Sequence, residues 1–440
     1  MRNGSSLWAR RAAVLGGACA LLASAACARP QYGVGRVIGP VPLDSVALNL
    51  VLIGDAGLPA PGDEPVLTAL RRELSAAPER SFVVWLGDNV YPIGLTDTTA
   101  AEGKEGLRII RQQMRVLRET STRGIFVPGN HDWAAGAGEG WANVVRQERV
   151  VNTEGAGLIG WEPRDGCPGP VVIDVGAVLR ILAIDSQWWL HGGAKPGPDR
   201  CTPGTEQGVI DSIRVALASA GDRRSIIVAH HPIVSGGQHG GYFDWPTYLF
   251  PFHPWARLTG LFARQDVTGR EYRHFTQSLA RAFIVDTPLV YAAGHEHNLQ
   301  VFRRDPAKYL VVSGAGFYGH TTTTRAITGI RYVREASGYQ RLTFLQDGRV
   351  RLSVMVVDAQ GNATEDYSAW LDVPPLSAPY PPPSDVSPAV PPPVPPPSRE
   401  PLPPTPNPTT PTTPNPTPTP VPAAAGASAT GSTSRSAEGT

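Results

Sequence analysis

The chain has 440 residues, with 39 Lys and Arg against 38 Asp and Glu and a formal net charge of +1. The two signs are interspersed, so nothing marks a basic nucleic-acid-binding field or an acidic solvating tract. Both ends look unlike globular protein, which leaves one substantial domain where length alone would allow two or three.

At the start, Arg2, Arg10 and Arg11 precede an apolar run of small residues from Ala12, which ends in Ala26-Cys27-Ala28. That order is a secretory signal peptide over residues 1–28. The run is shorter than the ~20 apolar residues of a membrane span, so export followed by removal is expected, with no transmembrane span in the mature chain. The expected location is periplasmic, secreted or on the cell surface. Cys27 can instead be the lipid-modified first residue of a lipoprotein, although Ser24 stands where such signals usually carry Leu. Of the 4 cysteines, Cys19 and Cys27 fall in this leader. Cys167 and Cys201 remain, and an oxidising compartment would join them in one disulfide; two unrelated buried thiols are the alternative. Residues 29–46 read as a linker.

From 47 to 371 the pattern changes to short Val- and Ile-rich runs of strand length: 47–53, 82–86, 125–127, 171–175, 179–184, 226–229, 289–292 and 309–312. Between them, 64–74, 105–119, 206–218 and 271–283 carry apolar residues three or four apart and are predicted helices. The alternation predicts an α/β domain with largely buried sheets. Residues 338–370 read as hairpins turning at Gln346-Asp347-Gly348 and Ala359-Gln360-Gly361.

Apolar run after apolar run ends in the same kind of residue. Gly54-Asp55, Gly87-Asp88, Gly129-Asn130-His131, His230-His231 and Gly294-His295 all follow predicted strands. One such Asp is ordinarily a turn or cap residue. Five such endings are hard to explain as packing, because unpaired Asp and His resist burial, whereas strand-end loops of an α/β sheet are where ligands bind. Carboxylates, imidazoles and an amide oxygen are the donors of a two-metal hydrolase, so Asp55, Asp88, Tyr91, Asn130, His230, His295 and His297 are the candidate metal ligands.

In order, Gly54-Asp55-Ala56-Gly57, Gly87-Asp88-Asn89-Val90-Tyr91, Gly129-Asn130-His131-Asp132, His230-His231-Pro232 and Gly294-His295-Glu296-His297 resemble the blocks of the calcineurin-like metallophosphatases. Gly57 stands where most of that superfamily has a metal-binding His, and Tyr91 lies three residues after Asp88. That pair of departures resembles the purple acid phosphatase branch, as does His239-Gly240 downstream of His230, which resembles the tartrate-resistant type. The resemblance implies a metallophosphatase-type sandwich of two mostly buried β-sheets flanked by helices. It further implies a first metal on Asp55, Tyr91 and His297, a bridging Asp88, and a second metal on Asn130, His230 and His295. The expected centre is Fe(III) plus a divalent Fe, Zn or Mn ion. By the same resemblance a metal-activated hydroxide attacks a small phosphate ester in line, while His131 and His239 bind phosphoryl oxygens or protonate the leaving group and Asp132 orients His131.

Acid phosphatase action on monoesters is therefore the expected function. A phosphodiesterase or nucleotidase shares the metal site, and a non-catalytic surface binding protein working through its tail is the alternative from another class. Ala134 to Gly140 reads as a flexible loop. The aromatic stretch from Tyr242 to Trp255 reads as a lid or as a packed cluster, and Trp188-Trp189 either lines the cleft or packs. His191, His253, His274 and His320 have no motif support. Residues 372–440 are rich in Pro, Thr, Ser and Ala and read as a disordered tail.

Overall fold

The computed structural model describes residues 31–136, 140–242, 265–267 and 269–380. The expected signal segment with Cys27, most of the aromatic stretch with His253, and the chain beyond Tyr380 lie outside the described residues.

The apolar runs become strands because both of their faces are covered. In chain order the described strands are β1 (Val46–Ile53), β2 (Ser81–Trp85), β3 (Arg123–Phe126), β4 (Ile159–Trp161), β5 (Val171–Val175), β6 (Leu179–Ala183) and β7 (Arg224–Val228). They continue with β8 (Val290–Ala293), β9 (Leu299–Phe302), β10 (Tyr309–Ser313), β11 (Ile330–Arg334), β12 (Gly338–Leu345), β13 (Val350–Val357) and β14 (Ala363–Leu371). They form two sheets of seven, ordered β14-β13-β12-β1-β2-β3-β4 and β11-β9-β10-β8-β7-β6-β5. Parallel pairing runs through β1, β2, β3 and β4 in the first sheet and through β6, β7, β8 and β10 in the second.

Alternation along each strand sorts its side chains between layers. Leu48, Leu50 and Leu52 of β1 share one core with Val228 of β7 and Val290 of β8, so that core fills the space between the sheets. Val51 and Ile53 face the other way, onto helices 65–74, 101–120 and 140–154. Across the molecule, Ile227 and Tyr291 pack on helices 186–190, 206–218 and 270–282. The result is the expected sandwich, helices outside two facing sheets. Each large apolar side chain so covered contributes about 1.5–3 kcal/mol.

The helices start where their caps allow. The Glu64 carboxylate accepts from Leu67 N at 2.8 Å ahead of Pro65, and Thr205 Oγ1 accepts from Gly208 N at 3.2 Å. Trp188 and Trp189 are buried among the outer helices of the second sheet, so they pack. His274 pairs with Glu206 at 2.6 Å on an exposed helix surface.

Cys167 and Cys201 form the expected disulfide, with Cα atoms 5.6 Å apart and a sequence separation of 34. Among the described residues no helix is long and apolar enough to cross a membrane. Both findings are compatible with an exported protein. The tail expected from residue 372 begins with a packed segment. Leu376 lies against the inter-sheet core, Tyr380 is buried in it, and Tyr380 N donates to Gln346 O at 2.9 Å.

Candidate metal centre

Parallel strands place their C-terminal ends on one edge of each sheet, and the two edges meet. Asp55 follows β1, Asp88 follows β2 and Asn130 follows β3; His230 follows β7, while His295 and His297 follow β8. Asp55, Asp88 and His295 have φ of 56°, 53° and 71°. That region costs a non-glycine residue about 1–2 kcal/mol, and such strain persists where surrounding contacts over-determine it. The glycines beside them allow close approach. A Cβ on Gly294 would lie 2.4 Å from Asp55 Oδ2, and one on Gly129 would lie 2.3 Å from both the amide N and Oδ1 of Asp88.

All seven expected donors come together. Tyr91 Oη lies 3.1 Å from Asp55 Oδ1, 3.1 Å from Asp88 Oδ2 and 3.0 Å from His297 Nε2. On the other side, Asn130 Oδ1 is 2.9 Å from His230 Nε2 and 3.0 Å from His295 Nδ1. Asp88 Oδ2 belongs to both groups, since it is also 3.3 Å from His230 Nε2. The Gly57 and Tyr91 departures are linked in space. Gly57 O accepts from Tyr91 N at 3.0 Å, and a Cβ on Gly57 would sit 2.5 Å from Asp88 O, so the chain leaves no room there for a histidine.

The donor chemistry fits a cation. His230 Nδ1 sits 2.9 Å from Leu86 O and His295 Nε2 sits 3.0 Å from Gln265 O. A carbonyl only accepts, so each of those nitrogens carries the ring proton. In the neutral tautomers, His230 Nε2 and His295 Nδ1 are then lone pairs. They face each other at 3.2 Å and share the acceptor Asn130 Oδ1. Three acceptors so placed repel one another unless positive charge lies between them. Carbonyl groups behind metal-binding imidazoles are the usual outer support of such ligands.

Ionisation reports the same field. A proton can supply that positive charge as a metal ion would: burial opposes it on His230, but Asp88 and Asp55 overcome burial and raise the imidazolium to about 9, and in that form Nε2 donates to Asn130 Oδ1. Burial also works against ionised Asp88, yet His230 and His131 hold its carboxyl below the usual range. Burial, with Asp55 and Asp88 beside it, pushes the Tyr91 phenol well above its ordinary value. Burial and three neighbouring histidines drive His295 well below. His231 is close to His230 and His295, but Ser186 Oγ and Gln265 Oε1 engage its two nitrogens at 2.8 Å each. It therefore supports the cluster rather than joining it.

Around the donors stand rings that touch them without belonging to them. His131 tilts over Tyr91 with centroids 4.4 Å apart, and His239 lies on His295 at 4.1 Å. The expectation that Asp132 orients His131 is corrected. His131 Nδ1 is 2.6 Å from Pro92 O, and the buried Asp132 carboxylate points the other way. It accepts from Gly129 N at 2.8 Å, Asn89 N at 3.0 Å, Val90 N at 3.2 Å and Asn89 Nδ2 at 2.9 Å. Asp132 thereby fastens the Asp88 loop to the Asn130 loop.

Three positioning groups were not singled out in the sequence. Glu296 Oε1 accepts from Ser235 Oγ at 2.8 Å and Gly240 N at 3.1 Å, which pins the turn carrying His239. Asp185, at the end of β6, accepts from Trp133 Nε1 at 2.8 Å and caps helix 186–190, and burial pushes it up to about 7. The backbone carbonyl of Gln265 holds His295. Glu296 had a visible signal, an acid between two expected ligands, and Asp185 had another, a sixth polar residue at the end of a predicted strand.

A family model for calcineurin-like phosphoesterases matches residues 48–299. No curated protein matches the chain. Among solved structures, GAP50, the anchor in the inner membrane complex of Plasmodium, aligns with 15% identity and a TM-score of 0.47, over 75% of this chain and 90% of that one. Purple acid phosphatase PPD1 from yellow lupin (Lupinus luteus) seeds aligns with 16% identity and a TM-score of 0.46, over 79% of this chain and 56% of that one.

Proposed function

The chain belongs to the calcineurin-like phosphoesterase family, and from that premise we propose that it hydrolyses phosphate monoesters at a dinuclear centre of Fe(III) and a divalent ion. The family uses two metals and suggests a hydrolase. The observation that carries the finer reading is the convergence of seven donors with Asp88 Oδ2 common to both halves.

Asp55, Tyr91 and His297 would hold the first ion and Asn130, His230 and His295 the second, with Asp88 shared. A phenol oxygen and two carboxylates suit a hard trivalent ion, and an amide with two imidazoles suits a divalent one. When bound, the ions would lower the pKa of a water and take up charge on the phosphoryl oxygens. The chain's own part is orientation and proton handling. His131, tethered through Nδ1 to Pro92 O, keeps Nε2 on the cluster side, 3.9 Å from Asp88 Oδ2. Because Nδ1–H is given to that carbonyl, the neutral ring carries a lone pair on Nε2, and it is the imidazolium form that can donate from there to a phosphoryl oxygen or to the leaving alkoxide. His239, on the turn pinned by Glu296, can do the same from the His295 side. A cleaved or lipid-bearing leader and a Pro-rich tail beyond the packed chain complete the proposed organisation of an exported enzyme.

Iron-loaded, oxidised protein is expected to show a visible tyrosinate-to-iron band that Tyr91→Phe abolishes, and to turn over an aryl phosphate monoester faster than the matching diester. Turnover without the band would leave a phosphoesterase outside the purple branch. No turnover of either ester would end the hydrolytic reading.

A further inference from the structure

Two non-ligand imidazoles, His131 and His239, were expected beside the metal donors, and the structure places a third. The His320 ring lies on His297 with centroids 4.1 Å apart, and it is 4.8 Å from the Phe317 ring and 6.3 Å from the Tyr91 ring. Each of the three rings thus rests on a different donor: His131 on Tyr91, His239 on His295, His320 on His297. They approach the cluster from three directions.

His320 is also held in place from both sides of its loop. Before it, Gly316 N donates to Gly54 O at 3.0 Å, Tyr318 N to the buried Glu64 Oε1 at 2.6 Å, and Gly319 N to Ser337 Oγ at 3.0 Å. Just after it, Thr322 N donates to His297 O at 2.9 Å. Gly319 turns the chain at φ 84°, where a side chain would be strained. The ring is half-buried: Nδ1 is enclosed without a hydrogen-bond partner among the described residues, whereas Nε2 is neither enclosed nor engaged by them and is the nitrogen a ligand can reach. A fixed imidazole with an unused nitrogen beside a catalytic cluster is a preorganised contact waiting for a ligand atom.

We propose that His320 hydrogen-bonds a third non-bridging phosphoryl oxygen and so sets a preference for monoesters over diesters. This rests on the hydrolytic reading above and sharpens it. A phosphate monoester offers three non-bridging oxygens, one for each of the three imidazoles. In a diester one of those oxygens carries a second organic group and cannot be matched in the same way. The His320 contact therefore favours the monoester selectively, while His131 and His239 serve both.

The experiment compares His320→Ala, His320→Phe and His320→Gln with the parent protein, each metal-loaded, on an aryl monoester and its diester. Equilibrium binding of inorganic phosphate is measured alongside. Losing one hydrogen bond to a charged oxygen corresponds to about a tenfold effect or somewhat more. The monoester kcat/KM and the phosphate affinity are expected to fall about tenfold in the Ala and Phe variants. The Gln variant, which keeps a donor, is expected to recover part of both, and diester turnover is expected to stay level. Phe keeps the stacking, so a Phe variant equal to the parent would reduce His320 to packing and overturn the proposal. Equal losses on both esters would overturn it too. If the parent turns over neither ester, the hydrolytic reading fails by itself, and phosphate affinity across the three variants still decides His320.

Discussion

Asp132→Ala should lower stability and metal retention together. In the native fold the carboxylate accepts from three backbone amides and the Asn89 side chain, all buried. Truncation strands these donors, and a buried donor without an acceptor costs about 1–3 kcal/mol. Some of that returns, because burial already pushes the carboxyl up to about 7 and so makes its charge costly to keep. Water entry recovers more, leaving an expected net loss of about 3–5 kcal/mol. At about 2–4 °C per kcal/mol for a domain of a few hundred residues, Tm should drop by roughly 6–20 °C. The loops carrying Asp88 and Asn130 separate in the same event, so bound metal after dialysis should fall as well. Asp132→Asn keeps one acceptor but turns an NH₂ toward amide donors, and should lie between. The assay is thermal denaturation with metal analysis on both variants. If Asp132 instead served His131, Asn would cut turnover at unchanged Tm and metal content, and that result would refute the argument.

Glu148 should make stability fall with pH. Burial raises its carboxyl from 4.5 to about 7, against the pull of the Asp165 amide. A carboxyl that binds its proton more tightly when folded contributes fully below 4.5, and that contribution is lost as pH climbs through about 7. With solvent screening of a partly exposed group, Glu148→Gln should gain about 1 kcal/mol on the parent between pH 5 and 8, read from denaturant midpoints; a constant gap across that window would contradict it. A chain ending at residue 380 should match the full-length Tm. One ending at 371 loses Leu376 and Tyr380 from the core and should be about 2–3 kcal/mol less stable, and equal melting of the two would show that the segment is not structural.

The motif residues were legible because two simple patterns coincide. A parallel strand buried on both faces must be a continuous apolar run, and the site residue follows at once behind a glycine. Hence Asp55, Asp88, Asn130 and His295, and His230 directly after Ala229, could be placed before their contacts were known. Helix 206–218 was legible for a related reason, an apolar stripe with a Thr cap ahead of it. Strand β9 was not, because its Gln300 is polar yet buried, bound to Asn298 and Gly236. Helix 140–154 opens with Gly directly behind the Gly- and Ala-rich stretch expected to be a loop, and it was missed there. The direction of Asp132 was illegible because a turn decides it. Trp133 N bonds back to Gly129 O and swings the carboxylate inward. Gln265 holds His295 through its backbone carbonyl, which every residue possesses, so its side chain could not announce that contact.

The donors come from opposite halves of the sandwich: Asp55, Asp88, Tyr91 and Asn130 hang from one sheet, His230, His295 and His297 from the other. Sliding one sheet over its neighbour by an ångström would therefore pull Asp88 from His230 while leaving every strand intact. The chemistry is indexed to the alignment of two slabs. Residues deep in the seam, such as Leu50 and Val290, hold that alignment from a distance, without touching a substrate.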